Sequence, residues 1–202
     1  MCRLVQRLCT VSLKSITLSA SLLFLFAAAA GAQDFRAKLT VTVTDPAGMA
    51  IPSAPQGQKN PDPRCRELVR SPGSEDDRRV QAQGWDLVGR PSEGEQIRVI
   101  VGTANYDGMC RPRQFQEFVF VRGVFAGTLS PAPMDSRTDG ALGRVTIQSD
   151  RRLEAEYLRY GAADPLCCPS RTTRVVYDLG KEPPLLTPVS AATASNRSST
   201  GK

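Results

Sequence analysis

The chain has 202 residues, 26 of them Lys or Arg against 20 Asp or Glu, giving a formal charge of +6, and it contains no histidine. Without histidine there is no side chain of near-neutral pKa to take a nucleophile's proton, which removes Ser-His-Asp and Cys-His machinery. Histidine-ligated zinc, copper and haem go with it.

Residues 1–32 have the three parts of a cleavable signal peptide. Arg3, Arg7 and Lys14 form a basic start, Ile16 to Ala30 is almost wholly apolar, and Ala30-Gly31-Ala32 offers small side chains to a peptidase. The apolar run falls short of the roughly 20 residues a spanning helix needs, so cleavage after Ala32 and a mature chain without a transmembrane segment are expected. Loss of three cations leaves a charge of about +3. That is too little, and too scattered, for a nucleic-acid footprint. The expected location is periplasmic or secreted, with envelope association allowed.

Residues 33–52 are expected as an N-terminal strand segment. Leu39, Val41 and Val43 alternate with Thr40, Thr42 and Thr44, the period of a half-buried strand, and Asp45-Pro46-Ala47-Gly48 ends it as a turn. Residues 53–79 are rich in Pro, Gly, Gln and charge, with Leu68-Val69 the one apolar pair, and read as a linker or long loop.

Residues 80–189 are expected to form the β-rich body. Val80 to Val88 reads as a strand carrying the single Trp, and Ile97 to Val101 as another. From Phe115 to Val121, Phe115, Glu117, Val119 and Val121 face one way and Gln116, Phe118 and Phe120 the other. Arg122-Gly123 then turns the chain into Val124 to Leu129, a hairpin signature. Arg144 to Gln148 and Leu153 to Tyr160 form a second hairpin, Arg171 to Leu179 is a last strand, and 190–202 is expected as a disordered tail. With at most one short helix, the fold class is all-β, an antiparallel sheet forming a disulfide-stapled sandwich or half-barrel.

Cys65, Cys110, Cys167 and Cys168 remain after export, an even number that points to two disulfides. Of three possible pairings, the two in which Cys65 and Cys110 each reach a member of the adjacent pair are favoured, because a bond between neighbours strains the intervening peptide. No cofactor is expected. An all-Cys zinc site lacks a CxxC spacing, and Asp135 to Thr146 fails as a calcium loop because Arg137 stands where a ligand oxygen is needed.

The candidate binding surface is the set of loops carrying Tyr106, Asp107 and Arg111, then Asp135, Arg137 and Asp139, then Arg171, two of them joined through Cys110 and the Cys167-Cys168 pair. The expected partner is an envelope protein or polymer, and the expected role is non-enzymatic binding or structure. The rival is an envelope glycan hydrolase using paired aspartates drawn from Asp86, Asp107, Asp135, Asp139 and Asp164. A third reading is thiol redox chemistry at Cys167-Cys168.

The run Phe118-Val119-Phe120-Val121-Arg122-Gly123-Val124-Phe125-Ala126-Gly127-Thr128-Leu129-Ser130-Pro131, with Met134-Asp135-Ser136-Arg137 and Asp164-Pro165-Leu166-Cys167-Cys168-Pro169-Ser170, resembles the LppP/LprE-type lipoprotein family of bacterial envelopes over roughly 80–180. The resemblance implies a small exported β-rich domain and carries over no catalytic residue. The chain departs from lipoproteins in having no lipidation cysteine after its signal. Residues 33–52 are more weakly similar to the first strands of a carboxypeptidase-regulatory-like β-sandwich.

Overall fold

The computed structural model describes residues 50–55 and 63–196. The expected signal peptide, the strand at 38–44 and the end of the expected tail lie outside them. Among the described residues eight strands form: β1 Asp86–Glu93, β2 Ile97–Tyr106, β3 Pro112–Val121, β4 Val124–Thr128, β5 Ala141–Ser149, β6 Arg152–Arg159, β7 Arg171–Leu179 and β8 Leu186–Ser195. They make two four-stranded sheets in orders β1-β2-β3-β4 and β5-β6-β7-β8, every neighbouring pair antiparallel. The two sheets stay separate, as a sandwich rather than a closed barrel. Both expected hairpins form. At the first, Val121 pairs with Val124 across Arg122 and Gly123, whose φ values of 51° and 77° are those of a turn that matches strand twist.

The chain departs from expectation at three places. Residues 53–79 are not all loop: α1 spans Pro63–Arg66 and α2 spans Glu75–Ala82, so Val80 starts no strand and β1 begins at Asp86. The signal for α2 is its cap. Ser74 Oγ accepts the Asp77 amide at 3.1 Å, and Glu75, Asp76 and Asp77 put negative charge in the first turn. Instead of a tail from Ser190, β8 runs to Ser195 along the outer edge of β7, and Pro188 is tolerated there beside a register shift. Finally, Cys65 bonds to Cys110, with Cα atoms 5.0 Å apart, and Cys167 bonds to Cys168. The reason is placement: Cys65 is buried with Val88 and Tyr106 beside Cys110, whereas Cys167 and Cys168 are exposed.

β3 is buried on both faces from Phe115 to Val121. One face, with Ile97, Val99, Val119 and Val121, packs against Leu153, Ala155, Tyr157, Tyr177 and Leu179 of the second sheet. The other, with Ile100, Phe118 and Phe120, is covered by Trp85, Val80 of α2 and Ile51. Asp77 fastens this covering layer. It is fully buried, accepts two Arg70 hydrogen bonds at 2.8 and 2.6 Å and the Gly73 amide at 2.9 Å, and its pKa is lowered to about 2 because those bonds outweigh desolvation.

Glu117 lies between the sheets with no solvent contact, and neither carboxyl oxygen has a well-formed hydrogen bond. Tyr157 lies close to it, while the Tyr177 hydroxyl donates to the Leu129 carbonyl at 2.5 Å. Desolvation pushes its pKa from 4.5 up to about 8. A raised carboxyl pKa favours the protonated fold, so the contribution is whole below pH 4.5 and is lost as pH rises toward about 8. The loss is on the order of 3 kcal/mol by neutral pH. Urea midpoints of wild type and Glu117→Gln, measured near pH 5 and near pH 8, are expected to diverge in favour of the variant at the higher pH; parallel behaviour would contradict the assignment.

Candidate binding cleft between the sheets

The two sheets approach closely at one end and part at the other. At the close end a Cβ on Gly94 would stand 3.0 Å from Ile147 Cγ2, so glycine is what lets the chain after β1 pass β5. At the other end Val88 and Gly89 of β1 and Ala141 and Leu142 of β5 do not close on each other but line a cleft of about 550 Å³. Its floor is Val101 and Phe115, and its rim is Leu68, Tyr106, Arg111, Pro112 and Ser136, with Glu67 alongside. The lining is mostly carbon and comes from both sheets, so the cleft continues the inter-sheet core where side chains fail to fill it.

Covalent and polar ties hold the rim. The Cys65–Cys110 bond fixes α1 to the turn at 107–111. Within that turn the Asp107 carboxylate accepts the amides of Met109 and Arg111 at 2.8 and 2.9 Å and Arg111 Nε at 2.6 Å, bonds that hold its pKa below the usual value against desolvation. A single π-helical turn at Ser136–Gly140 closes another side, with Ser136 Oγ donating to the Pro112 carbonyl at 2.5 Å. Asp135 starts that turn by accepting the Arg137 amide at 2.9 Å and also takes Arg113 Nε at 2.6 Å; Asp139 answers by accepting the Asp135 amide at 2.8 Å.

Of the surface read from sequence, Tyr106 and Arg111 line the cleft, and Arg137 lies over the Tyr160 ring. Asp107, Asp135 and Asp139 hold turns, and Arg171 is exposed at the start of β7, paired in register with Arg159 and Ser195. The three loops do meet, but not through a disulfide as expected. Tyr160 joins them: it lies against Arg111, its ring carries the Arg137 guanidinium at 4.5 Å, and its hydroxyl donates to the Leu166 carbonyl at 3.2 Å. Arg137 Nη2 also donates to the Asp164 carbonyl at 2.9 Å. The Asp164 carboxylate accepts the amides of Gly161 and Ser170, which lower its pKa. The apolar wall of Leu68, Val88, Val101, Phe115 and Leu142 was not read as a site. Nothing in the sequence marks these residues apart from ordinary core.

Among the described residues, no cluster of three or more His, Cys, Asp or Glu side chains is arranged to hold a metal ion, and no helix is long and apolar enough to cross a membrane.

Fold and site together define a two-sheet antiparallel sandwich with a ligand-sized cleft at one end. Residues 93–181 match the family model described as LppP/LprE lipoprotein, so the resemblance carried by the β3–β4 hairpin and the Cys167-Cys168 segment is borne out. The similarity is to an exported, envelope-associated kind of protein. The matched span runs from the end of β1 through β7; Glu67, Leu68, Val88 and Gly89 on the cleft wall lie outside it. No match to a curated protein or to a solved structure was found.

The Cys65–Cys110 bond closes a loop of 45 residues, worth about 4 kcal/mol in the chain-entropy account. The double substitution Cys65→Ser, Cys110→Ser is expected to lower unfolding free energy by about that amount in urea titration. A change of only a few tenths would mean the rim is held by its hydrogen bonds alone.

Proposed function

We propose that this is an exported envelope domain that binds an apolar group between its two sheets without transforming it. The observation that carries the reading is the cleft itself. About 550 Å³ of space lined from both sheets by Val88, Val101, Phe115 and Leu142 is within the range of small-molecule sites, about 300–1,000 Å³, and an apolar ligand there completes a core the protein leaves unfilled.

The aspartates support binding over catalysis. A hydrolase of glycans needs one carboxyl kept protonated and aimed at a leaving group. Asp107, Asp135 and Asp164 are each engaged by backbone amides in a turn, and each has its pKa lowered. The two groups with the largest upward shifts, Glu117 of β3 and Tyr157 of β6, are enclosed in the core between the sheets.

The test uses the neutral fluorophore N-phenylnaphthylamine, which brightens on leaving water. Wild-type protein is expected to bind it saturably, and Leu142→Trp, which fills the cleft from β5, is expected to weaken binding about tenfold or more with an unchanged melting temperature. Absence of saturable binding, or equal binding by the variant, would overturn the proposal.

A further inference from the structure

The two disulfides differ in what they can do for the fold. Cys65–Cys110 closes 45 residues, and Cys65 is buried with Val88 and Tyr106. Cys167 and Cys168 are adjacent, so their bond restricts almost none of the unfolded chain and has little to give to stability. Both residues are exposed, as are Pro165 and Leu166 just before them. The peptide between neighbours holds their Cα atoms 3.8 Å apart, below the roughly 4.4 Å lower limit of ordinary disulfides, and bonds outside the usual range are more readily reduced.

The segment that carries the pair does not need it to keep its shape. The Asp164 carboxylate accepts the amides of Gly161 and Ser170 and so ties the two ends of the loop together. Before the sulfurs, the Tyr160 hydroxyl donates to the Leu166 carbonyl at 3.2 Å and Arg137 Nη2 to the Asp164 carbonyl at 2.9 Å. The Cys168 amide donates to the Pro165 carbonyl at 3.1 Å. After them, Asn196 donates its side-chain Nδ2 to the Pro169 carbonyl and its amide to the Ser170 carbonyl, each at 2.7 Å. The sulfurs therefore stand on a loop fixed on either side, open to solvent and apart from the residues that line the cleft.

We propose that Cys167–Cys168 is a thiol–disulfide exchange site, opened to a dithiol by an external thiol donor and closed again while the fold stays intact. A donor thiolate attacks one sulfur. A donor–cysteine S–S bond forms, the Cys167–Cys168 bond breaks, and the neighbouring cysteine leaves as thiolate. A second donor thiolate then attacks the donor sulfur of that mixed disulfide. The donor departs as its own disulfide and the remaining cysteine is released. Two electrons pass from donor to pair, and the two protons given up by the donor thiols end on the cysteines. Access sets the rate of such exchange. Exposure thus separates this pair from Cys65–Cys110, whose Cys65 end is enclosed.

The experiment titrates the folded, exported protein with dithiothreitol, quenches with acid, alkylates the free thiols and maps them by mass. Cys167 and Cys168 are expected to be labelled at a dithiothreitol concentration about tenfold or more below that needed for Cys65 and Cys110. The melting temperature is expected to stay unchanged once only the adjacent pair is open. Removal of the reductant in air is expected to restore the bond. A parallel series with reduced glutathione distinguishes the donors. An adduct on Cys167 or Cys168 assigns the exchange to free monothiols, and opening by dithiothreitol alone assigns it to dithiols. Cys167→Ser, Cys168→Ser is expected to melt with wild type, which a stabilising bond would not allow. Four results would each overturn the proposal: opening of both disulfides at one concentration, resistance of the adjacent pair until the protein unfolds, a fall in melting temperature when it opens, or native material in which these sulfurs are joined to Cys65 and Cys110.

Discussion

Burial of β3 on both faces is the constraint on which the rest depends. A strand apolar on each side must sit in the middle of three layers, and here those layers are the Trp85–Val80–Ile51 covering, the first sheet, and the second sheet. That leaves the inner face of the first sheet committed to the second sheet along its whole length, while the second sheet can match only part of it. Contact is tight where Gly94 meets Ile147 and is missing where Val88 stands across from Leu142. The cleft follows from two twisted sheets that meet at one end and separate at the other.

The same geometry explains why so many charged residues gather at the open end without forming a catalytic group. Loops that bridge diverging sheets must turn sharply and still satisfy their amides. Asp107, Asp135 and Asp164 do this, each accepting two or more N–H groups or a neighbouring arginine. Their carboxylates stabilise the rim as anions. The polar side chains that reach the cavity wall are Glu67, Tyr106, Arg111 and Ser136.

Strand content was legible because period two survives in β3, β5, β6 and β7, where apolar residues alternate or run unbroken between turn residues. The Arg122-Gly123 hairpin was legible from two residues whose backbone needs positive φ. α2 was not, because its only buried apolar residue is Val80 and its start is written in a Ser74 cap within a polar stretch. β8 was not, because Thr187 to Ser195 is exposed on both faces and so has no apolar alternation to read; its strand comes from backbone pairing with β7. Disulfide pairing was beyond reach for a further reason: it depends on α1 packing beside the 107–111 turn, a contact between segments 45 residues apart. The loops of the candidate site were legible through Tyr106 and Arg111, but the cavity was not, since Leu68, Val101, Phe115 and Leu142 meet only in three dimensions.

Methyl-resolved NMR of the exported protein during addition of N-phenylnaphthylamine tests the central claim most directly. If an unfilled stretch of the inter-sheet core is a binding site, the methyl signals of Leu68, Val88, Val101 and Leu142 shift together and saturate, while those of Ile97, Val121 and Leu153 in the filled half stay in place. Shifts spread evenly over both halves, or confined to exposed Val124 and Val189, would contradict it.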